Sequence, residues 1–200
     1  MYREVILLII LVSFSQLLSA DTFVRDDLIT EPKPGKFSFC YHGTCEETKE
    51  IGLNKEQWQR IRDEFTVSAS AQIEREKIKQ AVALMEKIVG NMTGTNIDKA
   101  GTFARLGEQG QLDCIDESIN TTFYIQMMVN DGLIVHHTVA DRTHRGFFLN
   151  GWPHSAAAIR ETGTGKIFVV DSWFEDNGKH PHILPYQQWD DGWKPAQFKE

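Results

Sequence analysis

The order of two hydrophobic periodicities constrains the fold of this chain more than any other feature of its sequence. In residues 55–89 and 114–130 the apolar residues recur every three or four positions, which is typical of amphipathic helices. After residue 132 the apolar residues form short runs bounded by Gly, Pro and Asn, which is typical of strands. Helices followed by neighbouring strands predict an α+β fold, in which the helices pack on an antiparallel sheet.

The first two helices are predicted from their capping residues. Asn54, with Gln57 three residues later, fits a capping box for a helix over residues 55–65. A longer helix is predicted over residues 69–89, because its apolar stripe stops there and Gly90 favours a helix end.

A third helix and a set of strands follow. Asp113 is a suitable N-cap for a helix that begins at Cys114 and stops before Gly132. Strands are predicted at residues 133–139, 146–149, 155–160 and 166–171, and a final strand at 181–184 precedes a short helix at 185–189.

The beginning of the chain has the pattern of a signal peptide. Arg3 precedes an apolar run at residues 5–12 that is shorter than the roughly 20 residues of a membrane-spanning helix. We therefore predict a signal peptide at 1–20, an extended arm at 21–36 and a single domain at 37–200. The protein is then exported, to the periplasm or outside the cell, without a stable membrane span after cleavage. An uncleaved anchor is the alternative.

The overall charge excludes one class of partner. The chain has 200 residues, a length that suits one domain, and a net charge of -7. Non-specific binding of nucleic acid requires a basic surface that releases counterions from phosphates. We therefore expect no nucleic-acid partner.

The cysteines divide into a pair and a single residue. Cys40 and Cys45 are close enough in sequence for a local disulfide, whereas Cys114 is left without a partner. An unpaired cysteine in an exported protein is an inert buried thiol, an intermolecular partner or a reactive group. At a helix start, free backbone N–H groups and the helix dipole favour a thiolate. Asp116 and Glu117 oppose this effect, so a base or an imidazolium is expected nearby.

His154 is the candidate base. It begins one predicted strand, and Asp171 ends the strand that follows in the same hairpin. A turn centred on residues 162–163 places the two residues directly opposite each other, and a turn centred on 163–164 makes them diagonal neighbours on one face. In either register the carboxylate orients the imidazole, whereas a loop of odd length would separate them.

These residues together predict a catalytic triad. Cys114 attacks a carbonyl, His154 transfers the proton, and Asp171 fixes the tautomer of the ring. Candidate donors to the oxyanion are the backbone N–H of Cys114 and the side-chain amide of Gln109 or Gln111. Tryptophans of the core and the cleft wall are expected at positions 152, 173, 189 and 193.

Three segments carry a resemblance to a known family. They are residues 111–117 (QLDCIDE), 152–154 (WPH) and 170–173 (VDSW). A Cys at a helix start, a His on a strand and an Asp on the next strand resemble the transglutaminase-like branch of the papain-like cysteine peptidase superfamily. The resemblance covers roughly residues 70–190, and Asp113 stands where the family usually has a bulky aromatic residue. It implies a papain-like, transglutaminase-like core with a cysteine nucleophile. The family includes peptidases, protein cross-linking enzymes, deamidases and inactive scaffolds.

The expected function is that of an exported thiol enzyme without a cofactor. It would cleave or transfer an acyl group at a peptide or amide bond of a protein or peptide, with cell-wall peptides among the candidates. One alternative is an inactive binding or scaffold protein with the same fold. Another is an exported metal-binding protein, with His180, His182 and Asp171 as ligands. Because no compact ligand motif is present, we predict no metal site.

Overall fold

Four helices and two antiparallel sheets make up the described part of the chain, which is residues 25–65, 70–102, 108–146 and 153–198 of a computed structural model. In chain order the elements are β1 (Phe37–Tyr41), β2 (Glu47–Ile51), α1 (Lys55–Glu64), α2 (Ala71–Thr93), α3 (Cys114–Asn130), β3 (His137–Arg145), β4 (His154–Glu161), β5 (Ile167–Asp171), β6 (His182–Pro185) and α4 (Tyr186–Asp190). The predicted α+β class is confirmed. The predicted signal peptide lies outside the described residues, and within them no helix is long and apolar enough to cross a membrane.

The first sheet is a hairpin that the sequence did not predict. Strands β1 and β2 pair from Phe37 with Ile51 to Tyr41 with Glu47. Its tip contains residues 40–45, which we call the disulfide loop. Strand β1 is almost entirely buried, whereas β2 is polar and mostly exposed. The pattern of β2 therefore carries little sign of a strand.

Helix α2 is longer than predicted. It continues through Gly90 to Thr93 and ends at Gly94, which has a φ of 85°. The expected stop at Gly90 was wrong because this glycine serves packing: a Cβ there would lie 2.8 Å from Asn177 Oδ1 and 3.0 Å from Asn96 N. The left-handed conformation that ends a helix is adopted four residues later.

The second sheet has the strand order β3-β4-β5-β6. The strand predicted at residues 133–139 was placed too early, since β3 runs from His137 to Arg145. The strand predicted at 146–149 lies, apart from Gly146, outside the described part of the chain. A bulge between Ala140 and Thr143 interrupts the pairing with β4. An extra residue in a strand breaks the alternation on which the prediction relied.

The β4–β5 hairpin adopts one of the two predicted registers. Ala157 pairs with Val170, which places Ala156 opposite Asp171 and makes His154 the diagonal neighbour of Asp171. Residues that differ by two positions along a strand point to the same face. His154 and Asp171 therefore share a face at the same end of the sheet.

Helix α3 lies against both sheets, since it contacts β1, β3 and β4. Its buried apolar residues, among them Tyr124, Ile125 and Met128, pack in the main core with residues of α2, β1 and β4. The start of α3 is thereby held close to the first residues of β4.

Candidate active site

The three cysteines are arranged as predicted. Cys40 and Cys45 form a disulfide, and Cys114 is the free thiol. Cys114 is the first residue of α3, and Asp113 is its N-cap. The Asp113 carboxylate accepts hydrogen bonds from the N–H groups of Ile115 and Asp116, which completes the predicted cap. The N–H of Cys114 forms no hydrogen bond within the described ranges, so it is available to an oxyanion.

His154 and Asp171 form a buried pair. The distance from His154 Nε2 to Asp171 Oδ2 is 2.8 Å, and the two residues are 6 % and 1 % exposed. A carboxylate only accepts hydrogen bonds, so Nε2 carries the hydrogen in this pair. The other ring nitrogen, Nδ1, has no hydrogen-bond partner among the described residues. In the neutral ring this nitrogen is an acceptor, which is the state required of a base.

Asp171 is held by a second donor. The indole Nε1–H of Trp189 donates to the same oxygen, Oδ2, at 2.7 Å. Trp189 is fixed from the other side by Arg145, whose guanidinium lies 4.3 Å from the ring centroid and donates to the Trp189 carbonyl. Two donors on one carboxylate oxygen fix its orientation.

Aromatic rings surround the imidazole. The ring centroids of Trp173, Phe174 and Trp189 lie 4.7, 5.2 and 5.5 Å from that of His154. These rings exclude water from the His154–Asp171 hydrogen bond and strengthen it. Trp152, which was expected in the same region, lies outside the described residues.

The electrostatic environment of Cys114 favours the neutral thiol. Burial raises the pKa of Cys114 to about 12, and the negative charges of Asp113, Asp171 and Glu117 act in the same direction. The backbone N–H of Ser155 interacts with the sulfur and lowers the pKa, but it is outweighed. This contact places the sulfur beside the residue that follows His154. The resting site therefore holds a neutral thiol, and its chemistry requires a base.

Three buried acids, Glu86, Asp98 and Glu117, form a cluster near Cys114 that the sequence analysis did not predict. Burial raises the pKa of Glu86 to about 8 and that of Asp98 to about 6. Burial and these two carboxyls raise the pKa of Glu117 well above its usual value. Glu117 forms a hydrogen bond with Asp98, and Ser172 is also in contact. The raised pKa of Glu117 thus has burial as its main cause, with the neighbouring carboxyls acting in the same direction.

The two candidate glutamines differ in their environment. The Nε2 amide of Gln111 donates to the Ile97 carbonyl at 3.1 Å, and its Oε1 accepts from the N–H of Lys99 at 3.1 Å. Gln111 thus organises the segment after α2. Gln109 is exposed and lines a cavity of about 160 Å³ beside His42. The oxyanion role of either amide stays a prediction.

The remaining histidines do not gather into a metal site. His182 Nε2 lies 2.9 Å from Glu175 Oε1, and His137 Nδ1 lies 2.8 Å from Glu74 Oε1. Across the described ranges, no group of three or more His, Cys, Asp or Glu side chains is placed to hold a metal ion.

Comparisons with known proteins assign this chain to no family. No protein-family model matches it, and neither a curated protein nor a solved structure matches it.

Proposed function

We propose that the protein is an exported thiol enzyme that cleaves or transfers an acyl group at a peptide or amide bond. The observation that supports this most is the buried His154–Asp171 pair, with its 2.8 Å hydrogen bond and its unpartnered Nδ1. It lies at the start of the strand whose second residue contacts the Cys114 sulfur. The fold would be a papain-like, transglutaminase-like core.

The chemistry follows from the order of the proton transfers. His154 Nδ1 takes the proton of the Cys114 thiol as the sulfur forms a bond to the substrate carbonyl carbon. The imidazolium keeps its Nε2–H on Asp171, and the N–H of Cys114 donates to the oxyanion. The imidazolium then gives its proton to the leaving amine, and a thioester remains on Cys114. Water or a second amine, deprotonated by His154, attacks the thioester and restores the thiol.

The cellular setting and the substrate class belong to the same proposal. The signal-peptide pattern at residues 1–20 and the Cys40–Cys45 disulfide support export, to the periplasm or outside the cell. The substrate would be a protein or peptide, such as a cell-wall peptide. None of the steps above uses a cofactor.

One observation favours the alternative of an inactive binding or scaffold protein. The pKa of Cys114 is raised to about 12, so almost no thiolate is present at neutral pH without a base. The two functions therefore differ in whether His154 activates the thiol.

The deciding experiment is alkylation of the folded protein with iodoacetamide at pH 7, followed by mass spectrometry. We expect Cys114 to be labelled and the Cys114→Ala variant to remain unlabelled. The His154→Gln variant should react at least about tenfold more slowly, because general-base assistance contributes at least that factor. Reaction of Cys114 only after denaturation, or an unchanged rate in His154→Gln, would favour the scaffold.

The matched control is His137→Gln. His137 is also buried beside a carboxylate, with Nδ1 2.8 Å from Glu74 Oε1, but it lies at the opposite end of the β3–β4 pair. Its replacement should leave the labelling rate unchanged. A similar slowing in both variants would point to general destabilisation instead of base catalysis.

A further inference from the structure

The disulfide loop is bound to the first turn of α3 by three hydrogen bonds. The backbone N–H groups of Gly43 and Cys45 donate to the two carboxylate oxygens of Asp116, at 2.7 and 2.8 Å. The N–H of Thr44 donates to Asp113 Oδ2 at 2.7 Å. Three successive amides of the loop therefore bind the two acids on either side of Cys114 in the helix start.

The backbone of the loop is shaped for this contact. His42, Gly43, Thr44 and Cys45 have φ angles of 69°, 78°, 50° and 54°, so three residues other than glycine are in the left-handed region. Each such residue costs about 1 kcal/mol or more, and the surrounding structure must compensate for it. Amides turned to one side in this way form a concave site for negative charge. The disulfide and the two carboxylates supply the compensation.

A second contact fixes the other end of the loop. Asn120, on α3, accepts a hydrogen bond from the Cys40 N–H at 2.8 Å and donates to the Cys40 carbonyl at 2.9 Å. Asp116 is fully buried, and the disulfide packs against Leu28 and Ile119. The loop and the first two turns of α3 therefore form one rigid unit.

We propose that Asp116 is a positioning residue of the thiol site, which holds the start of α3 against the disulfide loop and thereby keeps the Cys114 sulfur beside Ser155 and His154. This inference rests on the proposed function. The first turn of a helix lacks the hydrogen bonds of its interior and frays readily. Because a displacement of about 1 Å is enough to slow a positioned reaction about a hundredfold, a fixed helix start matters for the nucleophile.

The same contacts place backbone N–H groups against the acidic side chains at the start of α3. The charged groups that act on Cys114 are Asp113 and Glu117 on α3 and Asp171 on β5. The Thr44 N–H donates to the first of these at 2.7 Å. Burial and the charge of Asp113 raise the pKa of Asp116 to about 7, and the amides of Cys45 and Gly43 lower it. The loop thus places backbone N–H groups against both acids, one of which, Asp113, raises the pKa of Cys114.

The test compares the contribution of His154 to alkylation of Cys114 with the loop closed and open. Replacement of both Cys40 and Cys45 by Ser opens the loop and leaves Cys114 as the only thiol, so mass spectrometry reports one site. The rate with iodoacetamide at pH 7 is measured for the closed and open loop, each with His154 and with His154→Gln. We expect His154 to accelerate alkylation about tenfold in the closed form and about threefold or less in the open form.

Each outcome has a distinct meaning. The ratio to compare is the alkylation rate with His154 divided by the rate with His154→Gln. If the loop has only a structural role, opening it changes both rates together and leaves this ratio unchanged, which would overturn the inference. A ratio near one in the closed form would overturn the proposed function itself, and the inference with it. A ratio that falls only when the loop is opened supports both.

A second variant covers the case in which the open loop does not fold, as judged by its circular dichroism spectrum. Asp116→Asn keeps the disulfide and the size of the side chain, but its amide nitrogen cannot accept the second loop N–H. The ratio should fall in this variant also. The control is Asp131→Asn at the other end of α3, where Asp131 binds Arg62 at 2.7 Å. If Asp116→Asn keeps the ratio of the native protein, or if both variants lose it equally, the inference is wrong.

Discussion

The carboxylate of Asp171 determines which nitrogen of His154 is left as an acceptor. Because the hydrogen on Nε2 is donated to Asp171, Nδ1 is left as the acceptor. In Asp171→Asn the charge that stabilises the imidazolium is lost, and the amide favours a different tautomer. We expect alkylation of Cys114 to slow about tenfold or more, without a large change in stability. Asp191→Asn, at an exposed position bonded to Gln187, is the control and should react like the native protein. A native rate in Asp171→Asn would contradict the role of this carboxylate.

Trp189 supplies the second donor to the same oxygen. Trp189→Phe removes the N–H and leaves the buried carboxylate with the single hydrogen bond from His154, because Oδ1 has no partner among the described residues. We expect the free energy of unfolding in urea to fall by about 1–3 kcal/mol and alkylation of Cys114 to slow. Trp58→Phe is a matched control, since its Nε1–H donates to Asp131 at 2.9 Å, far along the chain from the site. It should lose stability but keep the alkylation rate. Equal slowing in both would show that the indole acts through stability alone.

At the level of the elements, Gly90 tests how closely α2 packs. Alanine is intrinsically favoured over glycine inside a helix by about 1 kcal/mol. A Cβ at residue 90, however, would lie 2.8 Å from Asn177 Oδ1 and 3.0 Å from a backbone nitrogen. We expect Gly90→Ala to lower the free energy of unfolding by about 1–3 kcal/mol. Gly163→Ala, in a turn with no atom within 4 Å of the new Cβ, should change it by about 0.5 kcal/mol or less. A more stable Gly90→Ala protein would contradict this packing.

The elements that the sequence predicted well are those specified by neighbouring residues. The capping box of α1 and the Asp113 N-cap of α3 involve residues at most three positions apart, and both are present as predicted. The His154–Asp171 pair could be predicted for the same reason, since a short hairpin limits the registers that two strands can adopt. The Cys40–Cys45 disulfide is equally local.

The elements that the sequence missed depend on distant residues. The bulge in β3 is a feature of its pairing with β4, and Gly90 in α2 lies against Asn177, which leaves no room for a Cβ. The contact between the disulfide loop and Asp116 joins residues more than 70 positions apart, so no local sequence pattern predicts it. Glu86, Asp98 and Glu117 come from three separate segments and look like ordinary polar residues until the chain is folded.

The molecule as a whole has an acidic interior that binds protons. Among the described residues, four carboxyls have a raised pKa, mainly because they are buried: Asp98 to about 6, Asp116 to about 7, Glu86 to about 8, and Glu117 well above its usual value. The opposite case occurs near the surface, where hydrogen bonding to Arg62 lowers the pKa of Asp131. The buried carboxyls and Asp131 therefore affect the free energy of unfolding in different pH ranges. The hydrogen bonding of Asp131 stabilises the folded state until its carboxylate is protonated in acid, below its usual pKa.

The buried set leads to a prediction of sign. In the folded protein Glu86 keeps its proton up to about pH 8, whereas in the unfolded chain it releases the proton near its ordinary pKa of 4.5. The unfolded state is therefore favoured increasingly as the pH rises, and the folded state becomes less stable. The free energy of unfolding in urea should therefore fall between pH 5 and pH 9, by about 2 kcal/mol or more. Glu86→Gln, which cannot ionise, should reduce this fall between pH 5 and pH 8. Glu50→Gln, an exposed carboxyl paired with Lys36, should leave the slope unchanged. Stability that rises from pH 5 to pH 9, or a slope that Glu86→Gln does not alter, would show that these carboxyls are ionised in the folded protein without a penalty.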